Sequence, residues 1–354
     1  MDKGPVWILL DSSGIGGIET HVTSLTAALR AQCINAELVL LDDHGLHPLE
    51  DFWSEVGIPV LKICGGLRGL FLNLLKKRPA LVHTHGYKAG IVGRLFCRLL
   101  RVPVVSTFHA GEPGVGRVKF YNMVDVLTGC MAEAIAVSSL IARRLRHRAD
   151  VIPNFVNLPD DHTPVGNSIA FVGRLSHEKG PDRFIELAKA LPKHQFKIFG
   201  DGPMFDTLSK RAAGSVVFHG AVSTMQPYWK HIGLLCISSR YEGLPLVALE
   251  AMSHGVPVAA FGVGALPDVI DHRENGFLVP EGNMKAMKLC LQEWHDLENG
   301  RRDAMSKSAR TCIKDHYSND VIIPRVLAVY GRALRHDRTD TGHNSDVRPS
   351  GAIS

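Results

Sequence analysis

Short apolar runs alternate with stretches of helical periodicity along almost the whole chain, and that alternation leaves few folds open. Residues 6–10, 38–41, 81–83, 104–107 and 134–137 are nearly continuous apolar runs, the pattern of strands buried on both faces of a parallel sheet. Between them Val22, Leu25 and Leu29 share one helical face, as do Ile91, Leu95 and Leu99. Residues 151–157 read as a strand leaving one domain for a linker that holds Pro159, Asp160 and Asp161. A second series then follows at 168–172, 196–199, 216–219, 234–237, 257–261 and 276–279. The fold class is α/β, with two successive halves assigned to residues 1–155 and 156–318. Residues 319–335 read as a terminal helix that Pro324 bends or bounds. The polar composition of 336–354 predicts a disordered tail.

A chain of 354 residues is long enough for two such domains, and 45% hydrophobic with 21% charged residues suits a globular protein. The seven cysteines are scattered without CxxC spacing, which argues for reduced thiols rather than a disulfide framework or zinc site. No apolar run approaches the ~18 residues of a membrane span, and 6–10 is too short for a signal-peptide core. A cytoplasmic protein is therefore expected. The formal net charge of +5 permits phosphorylated ligands or an anionic membrane surface. Basic residues are not interleaved with aromatics, which argues against nucleic acid as a partner.

The most informative stretch is Ser238-Ser-Arg-Tyr-Glu242-Gly-Leu-Pro-Leu-Val-Ala-Leu-Glu250-Ala-Met-Ser-His-Gly255. A strand ends at Ser238, Pro245 is placed as the first residue of a helix, and Gly255 ends it. The amides of Leu246 and Val247 then lie at a helix N-terminus on the carboxyl edge of a sheet, which favours phosphate or carboxylate. Glu250 is placed to accept hydrogen bonds from a ribose diol, and Glu242 to reach sugar hydroxyls. Spacing alone equally allows a glutamate complementing the helix dipole and an exposed helical glutamate. Gly14-Ile-Gly16-Gly17 follows the first strand and precedes a helix. It resembles a dinucleotide-binding loop but lacks the full pattern, since Thr20 stands where the last glycine belongs.

Glu242 and Glu250, with the small residues around them, resemble the Glu-x7-Glu signature of retaining glycosyltransferases of family four. Phe171-Val-Gly-Arg174-Leu-Ser-His-Glu-Lys179-Gly180 is similar to that family's arginine–lysine donor clamp. Gly16-Gly17, Val82-His-Thr-His-Gly86, Thr107-Phe-His109 and Gly200-Asp201-Gly-Pro203 fit in the expected order, over roughly residues 6–330. The resemblance implies a GT-B fold, two Rossmann-like domains facing each other across a cleft. It implies transfer from a UDP- or GDP-sugar to a glycan or lipid-linked acceptor with retention, in cell-surface polysaccharide or glycolipid assembly. Arg174 and Lys179 would neutralise the diphosphate, Glu250 hold the ribose, and Glu242 with the backbone of Gly243, Leu244 and Pro245 orient the sugar. Leu246 and Val247 would meet phosphate, Gly16 and Gly17 face donor phosphate or acceptor, and Gly200 and Asp201 belong to the donor side. His109 is placed beside the donor sugar, while His83 reads as a core residue and His85 as a cleft residue.

Asp268 stands where the family usually has glutamate. No Asp-x-Asp motif occurs at a strand end, so neither a metal nor any other cofactor is expected, and no covalent nucleophile stands out. A sugar-nucleotide epimerase of the same architecture and a non-catalytic nucleotide-sugar binder are the rival readings. Leu67-Arg-Gly-Leu-Phe-Leu-Asn-Leu-Leu-Lys-Lys-Arg78, with Arg143, Arg144, Arg146 and Arg148, combines apolar and basic residues in a way that suits an anionic membrane surface.

Overall fold

The computed structural model describes residues 4–341, apart from 15, 44, 110–115 and 161–165, and gives only the backbone of 117, 118 and 336–341. Its N-terminal sheet has seven parallel strands: β1 (Val6–Leu10), β2 (Ala36–Leu40), β3 (Val60–Lys62), β4 (Leu81–His85), β5 (Val104–Phe108), β6 (Glu133–Ala136) and β7 (Ala149–Val151). Their order is β3-β2-β1-β4-β5-β6-β7. The second sheet has six: β8 (Ser168–Val172), β9 (Phe196–Phe199), β10 (Val217–Phe218), β11 (Ile232–Ile237), β12 (Val258–Phe261) and β13 (Gly276–Val279). It is also parallel throughout, in the order β10-β9-β8-β11-β12-β13. Each sheet reverses its winding once, between β1 and β4 and between β8 and β11. Ligands of such sheets bind at the carboxyl ends beside that reversal.

The connecting helices are α1 (Gly17–Ala31), α2 (Glu50–Glu55), α3 (Gly66–Lys77), α4 (Tyr87–Leu100), α5 (Arg117–Thr128) and α6 (Ser139–Arg144) in the first half. The second half carries α7 (Pro181–Ala190), α8 (Phe205–Ala212), α9 (Leu246–Ser253), α10 (Met284–Asp296), α11 (Asn299–His316) and α12 (Asn319–Thr341). All five residues of β1 are buried, because helices cover both faces of its sheet. Trp7 and Leu9 pack with Leu70 and Leu74 of α3 and with Ala89 and Cys97 of α4. On the other face Ile8 and Leu10 pack with Val22, Leu25 and Leu29 of α1. None of the helices among the described residues is long and apolar enough to cross a membrane.

The terminal helix α12 belongs to the N-terminal core. Ile322, Ile323, Val326, Val329, Tyr330 and Ala333 form one buried stripe against β1, β4, β5 and α1, the spacing of an amphipathic helix. Arg332 pairs with Glu133 and Asp150, and Arg325 donates to the Val151 carbonyl at 2.6 Å. The chain thus crosses between domains twice. The two crossings lie side by side, where Val156 N–H donates to the Tyr317 carbonyl at 3.0 Å and Val156 bridges Ser318.

Several details differ from the sequence reading. β3 is an extra strand: it is three residues long, ends on a lysine and is only half-buried, so it carries little apolar signal. The strand expected over 151–157 is β7, which ends at Val151. The helix α12 passes through Pro324, in its second turn, without ending there. It also runs to Thr341, six residues into the segment read as tail; residues 342–354 lie outside the described residues. Pro245 caps α9 from outside with extended backbone angles (φ −70°, ψ 120°), so the helix starts one residue later.

Candidate active site

The C-terminal wall of the cleft is built on the carboxyl ends of β8, β9 and β11. After β8 the chain makes a short turn at His177–Lys179, and Gly180 brings it against the end of β11. Gly180 has φ +63°, and a Cβ there would collide with the Ser238 carbonyl, so only glycine allows this approach. Ser238 Oγ donates to the Gly180 carbonyl at 2.8 Å. This contact sets Lys179 over Glu242: Nζ donates to Oε1 at 2.9 Å and to Oε2 at 2.8 Å. Ser239 Oγ donates to Oε1 at 2.6 Å. The Glu242 side chain is 5% exposed and that of Lys179 33%. A carboxylate so buried needs its charge partner, since removing one member of a buried pair leaves an uncompensated charge.

Immediately after this pair α9 begins. Leu244 is buried, and its carbonyl accepts from Asn154 Nδ2 of the first crossing at 2.8 Å. The amides of Leu246 and Val247 belong to the first turn, where a helix has no carbonyls of its own to offer and carries partial positive charge. On the same helix Glu250 is partly buried, not exposed, and accepts from Trp229 Nε1 at 3.1 Å. Burial raises its carboxyl above the usual range, and the indole hydrogen bond opposes that shift.

Arg174 is exposed just past β8. Its loop rests on the segment after β9: Gly200 packs on Gly173, and Leu175 N–H donates to the Asp201 carbonyl at 2.9 Å. Gly200 has φ +140°, and a side chain there would strike the Gly173 carbonyl. The Asp201 carboxylate accepts from Gly202 N–H at 2.6 Å. Gly200 and Asp201 therefore brace the Arg174 loop. Asp268 is exposed, and its carbonyl accepts from the Tyr317 hydroxyl at 2.9 Å.

The opposite wall comes from the N-terminal domain. Gly16 caps α1 in an extended conformation, and Gly17, exposed, opens the helix. His109 follows β5 and reaches the other domain: a Cβ built on Gly243 would lie 2.9 Å from the His109 carbonyl oxygen. Behind it stands a group of histidines. Alternation places His83 and His85 on one face of β4, and the register sets His85 level with Thr107 of β5. His85 Nδ1 lies 3.0 Å from His109 Nε2. His21 of α1 completes the group, with its ring centroid 4.8 Å from that of His109.

Among the described residues, His21, His85 and His109 offer ring nitrogens within 4.8 Å of one another, a set able to hold a metal ion. His83 is a core residue as expected, bonded to Tyr330 Oη at 2.8 Å and Thr107 Oγ1 at 2.7 Å. His85 is also buried, not lining the open cleft. The sequence reading passed over His21, Trp229 and Ser239. His21 lies beside Val22 on the inward side of α1, which was the available signal.

Residues 15–159 match the family model described as Glycosyltransferase Family 4, and residues 166–295 match Glycosyl transferases group 1. An uncharacterized glycosyltransferase of Methanocaldococcus jannaschii is 27% identical over 304 residues, 72% of this chain and 75% of its own. The Escherichia coli O-antigen biosynthesis glycosyltransferase WbnH is 23% identical, covering 88% of this chain and 97% of its own. The structure of Anabaena HepE in complex with UDP superposes with a TM-score of 0.79 at 18% identity, over 93% of this chain and all of that one.

Burial holds the four histidines neutral. It lowers His21 to about 4 and His83 to about 3, and it keeps His85 and His109 well below 6.5, with neighbouring rings adding to the last three. The unfolded chain protonates these rings near 6.5 while the folded chain resists. Stability is therefore full above that value and is lost as pH falls from 6.5 towards 4, steepening by about 1.4 kcal/mol per pH unit for each extra proton bound on unfolding. Denaturant titrations across this range should show a falling midpoint, less steep in His21→Gln. A midpoint that holds level down to pH 4 would contradict neutral buried rings.

Proposed function

We propose, from the premise that the chain is a glycosyltransferase of the GT-B, family-four type, that it moves a hexose from a nucleoside-diphosphate sugar to a glycan or lipid-linked acceptor with retention of configuration. The observation that carries this reading is the Lys179–Glu242 pair beside the first turn of α9. A cation from the turn after β8 meets there a carboxylate and free amides from the segment after β11. The Arg174 fork and the Lys179 ammonium hold the two phosphates and stabilise the charge that grows on the leaving diphosphate. The Leu246 and Val247 amides add to this field, and Glu250 takes the ribose hydroxyls. Released from part of its bond to Lys179, Glu242 orients the sugar together with the Gly243–Pro245 backbone. His109 approaches from the other wall.

The acceptor attacks on the face from which the diphosphate departs, with a phosphate oxygen receiving its proton. Gly16 and Gly17 face the donor phosphate or the acceptor across the cleft, and closure of the cleft excludes water. The fixed cations supply the charge a divalent ion would bring, so transfer needs no metal. The UDP and UDP-glucose complexes of HepE support a UDP-sugar donor, and the name of WbnH supports cell-surface polysaccharide as the setting.

Arg174→Ala and Lys179→Ala should each lower turnover by ~10²-fold or more, the scale for losing a charge-stabilising group. Arg174→Ala should leave folding unchanged, whereas Lys179→Ala should also lower the melting temperature, because Glu242 is left buried and unpaired. The readout is acceptor-dependent UDP release in EDTA. Near-normal turnover in a folded double variant removes the clamp from the mechanism, and an epimerised donor without UDP release removes transfer.

The N-terminal domain is assigned to the cytoplasmic face of an anionic membrane, where a lipid-linked acceptor would be met. In α3, Leu70 and Leu74 face the core while Leu67, Leu72 and Leu75 are exposed beside Lys76 and Lys77. Leu99 of α4 and Phe120, Met123 and Leu127 of α5 are exposed on the neighbouring helices. Basic groups at such a surface contribute about 1 kcal/mol each. Sedimentation with phosphatidylglycerol vesicles should show binding at low salt that weakens at high salt and in Lys76→Glu/Lys77→Glu. No binding at low salt, or equal binding by the variant, would rule out α3 as the contact.

A further inference from the structure

We propose that His21, His85 and His109 form a binding site for one zinc-class divalent cation, and that its occupancy inhibits transfer by fixing His109 on the N-terminal wall. The three side chains come from α1, the end of β4 and the residue following β5, so three rigid elements converge on one point. Their nitrogens lie within 4.8 Å of one another, and His85 Nδ1 and His109 Nε2 are already 3.0 Å apart. A tetrahedral ion with bonds of about 2.0–2.1 Å needs ligand nitrogens roughly 3.4 Å apart, a spacing between the 3.0 Å of the His85–His109 pair and the 4.8 Å limit of the group.

A further observation points to a ligand. His21 is 6% exposed, and its Nδ1 has no hydrogen-bond partner among the described residues. A buried polar atom is ordinarily satisfied, so this one calls for an occupant, while His85 would offer the Nδ1 that already faces His109. His83 is not part of the set, because Tyr330 and Thr107 use both its nitrogens. Three imidazoles without a carboxylate select zinc, cobalt or nickel over magnesium and calcium, which prefer oxygen. His109 is partly exposed, so an ion reaches the site from the cleft. Bound there, it commits the His109 ring to the metal and away from the sugar. The inhibitory half of the proposal rests on the role given to His109 above, and the binding half does not.

The test uses untagged full-length protein stripped with chelator and titrated with Co²⁺. One equivalent should produce the visible absorption of a tetrahedral cobalt ion, and one equivalent of Zn²⁺ should erase it. Zn²⁺ should also raise the melting temperature, as any ligand specific to the folded state does. His21→Asn and His85→Asn should each weaken Co²⁺ binding by about 10-fold or more, because loss of even an outer support costs that much. His272→Asn, at an exposed histidine, should change nothing. His21→Asn serves should His85→Asn not fold. Zn²⁺ should suppress acceptor-dependent UDP release in the wild type, and His21→Asn should escape.

No cobalt absorption in the wild type, or absorption that survives both variants, would overturn the site and leave water as the occupant. Binding without any change in turnover would overturn the inhibition. Binding by a protein that shows no transfer even when metal-free would uphold the site and count against the transferase reading instead.

Discussion

A lysine held by both oxygens of a nearly buried glutamate organises the C-terminal wall of the cleft. The pair Lys179–Glu242 exists because Gly180 lets the turn after β8 pass against the end of β11, with Ser238 and Ser239 bonding across. The carboxylate has lost most of its water, and its partners among the described residues are one ammonium and one hydroxyl. That arrangement stores positive and negative charge next to a helix end, and an anionic ligand able to draw Lys179 towards itself frees Glu242 for hydroxyls in the same movement. Binding and sugar orientation are thereby coupled through one hydrogen-bonded pair.

The opposite wall depends on a different constraint, the return of the chain. Because α12 buries its stripe in the N-terminal core, its Tyr330 hydroxyl reaches His83 and so touches the histidine group behind His109. The two crossings lie together at Val156 and Ser318, and Asn154 in the first crossing holds the Leu244 carbonyl just before α9. The connection between domains is therefore narrow and placed next to the site. This is where a hinge must lie if the walls are to close on a donor.

Much of this was legible in the sequence because parallel strands covered on both faces read as unbroken apolar runs. β1, β8, β9 and β13 fell where the runs did. β3 and β7 did not, since three-residue strands near the sheet edge are half-polar. The destination of α12 was not legible at all: its stripe says that one face is buried and nothing about which domain buries it. In the site, the Glu242 and Glu250 spacing left a plain helical reading open, and burial with Trp229 as partner decides against an exposed Glu250. The pairing of Lys179 with Glu242 joins residues 63 apart, which no local pattern encodes. His21 was missed because one histidine on an inward helical face looks like any core residue until β4 and β5 bring two more beside it.

The central claim is that the diphosphate of a donor sits between Arg174, Lys179 and the first turn of α9. A crystal structure of the protein with UDP bound tests it most directly. The account predicts phosphate oxygens within hydrogen-bond distance of Lys179 Nζ and of the Leu246 or Val247 amide, with the ribose hydroxyls on Glu250. A diphosphate seated instead on Gly16 and Gly17, with Lys179 still held by both oxygens of Glu242, would contradict it.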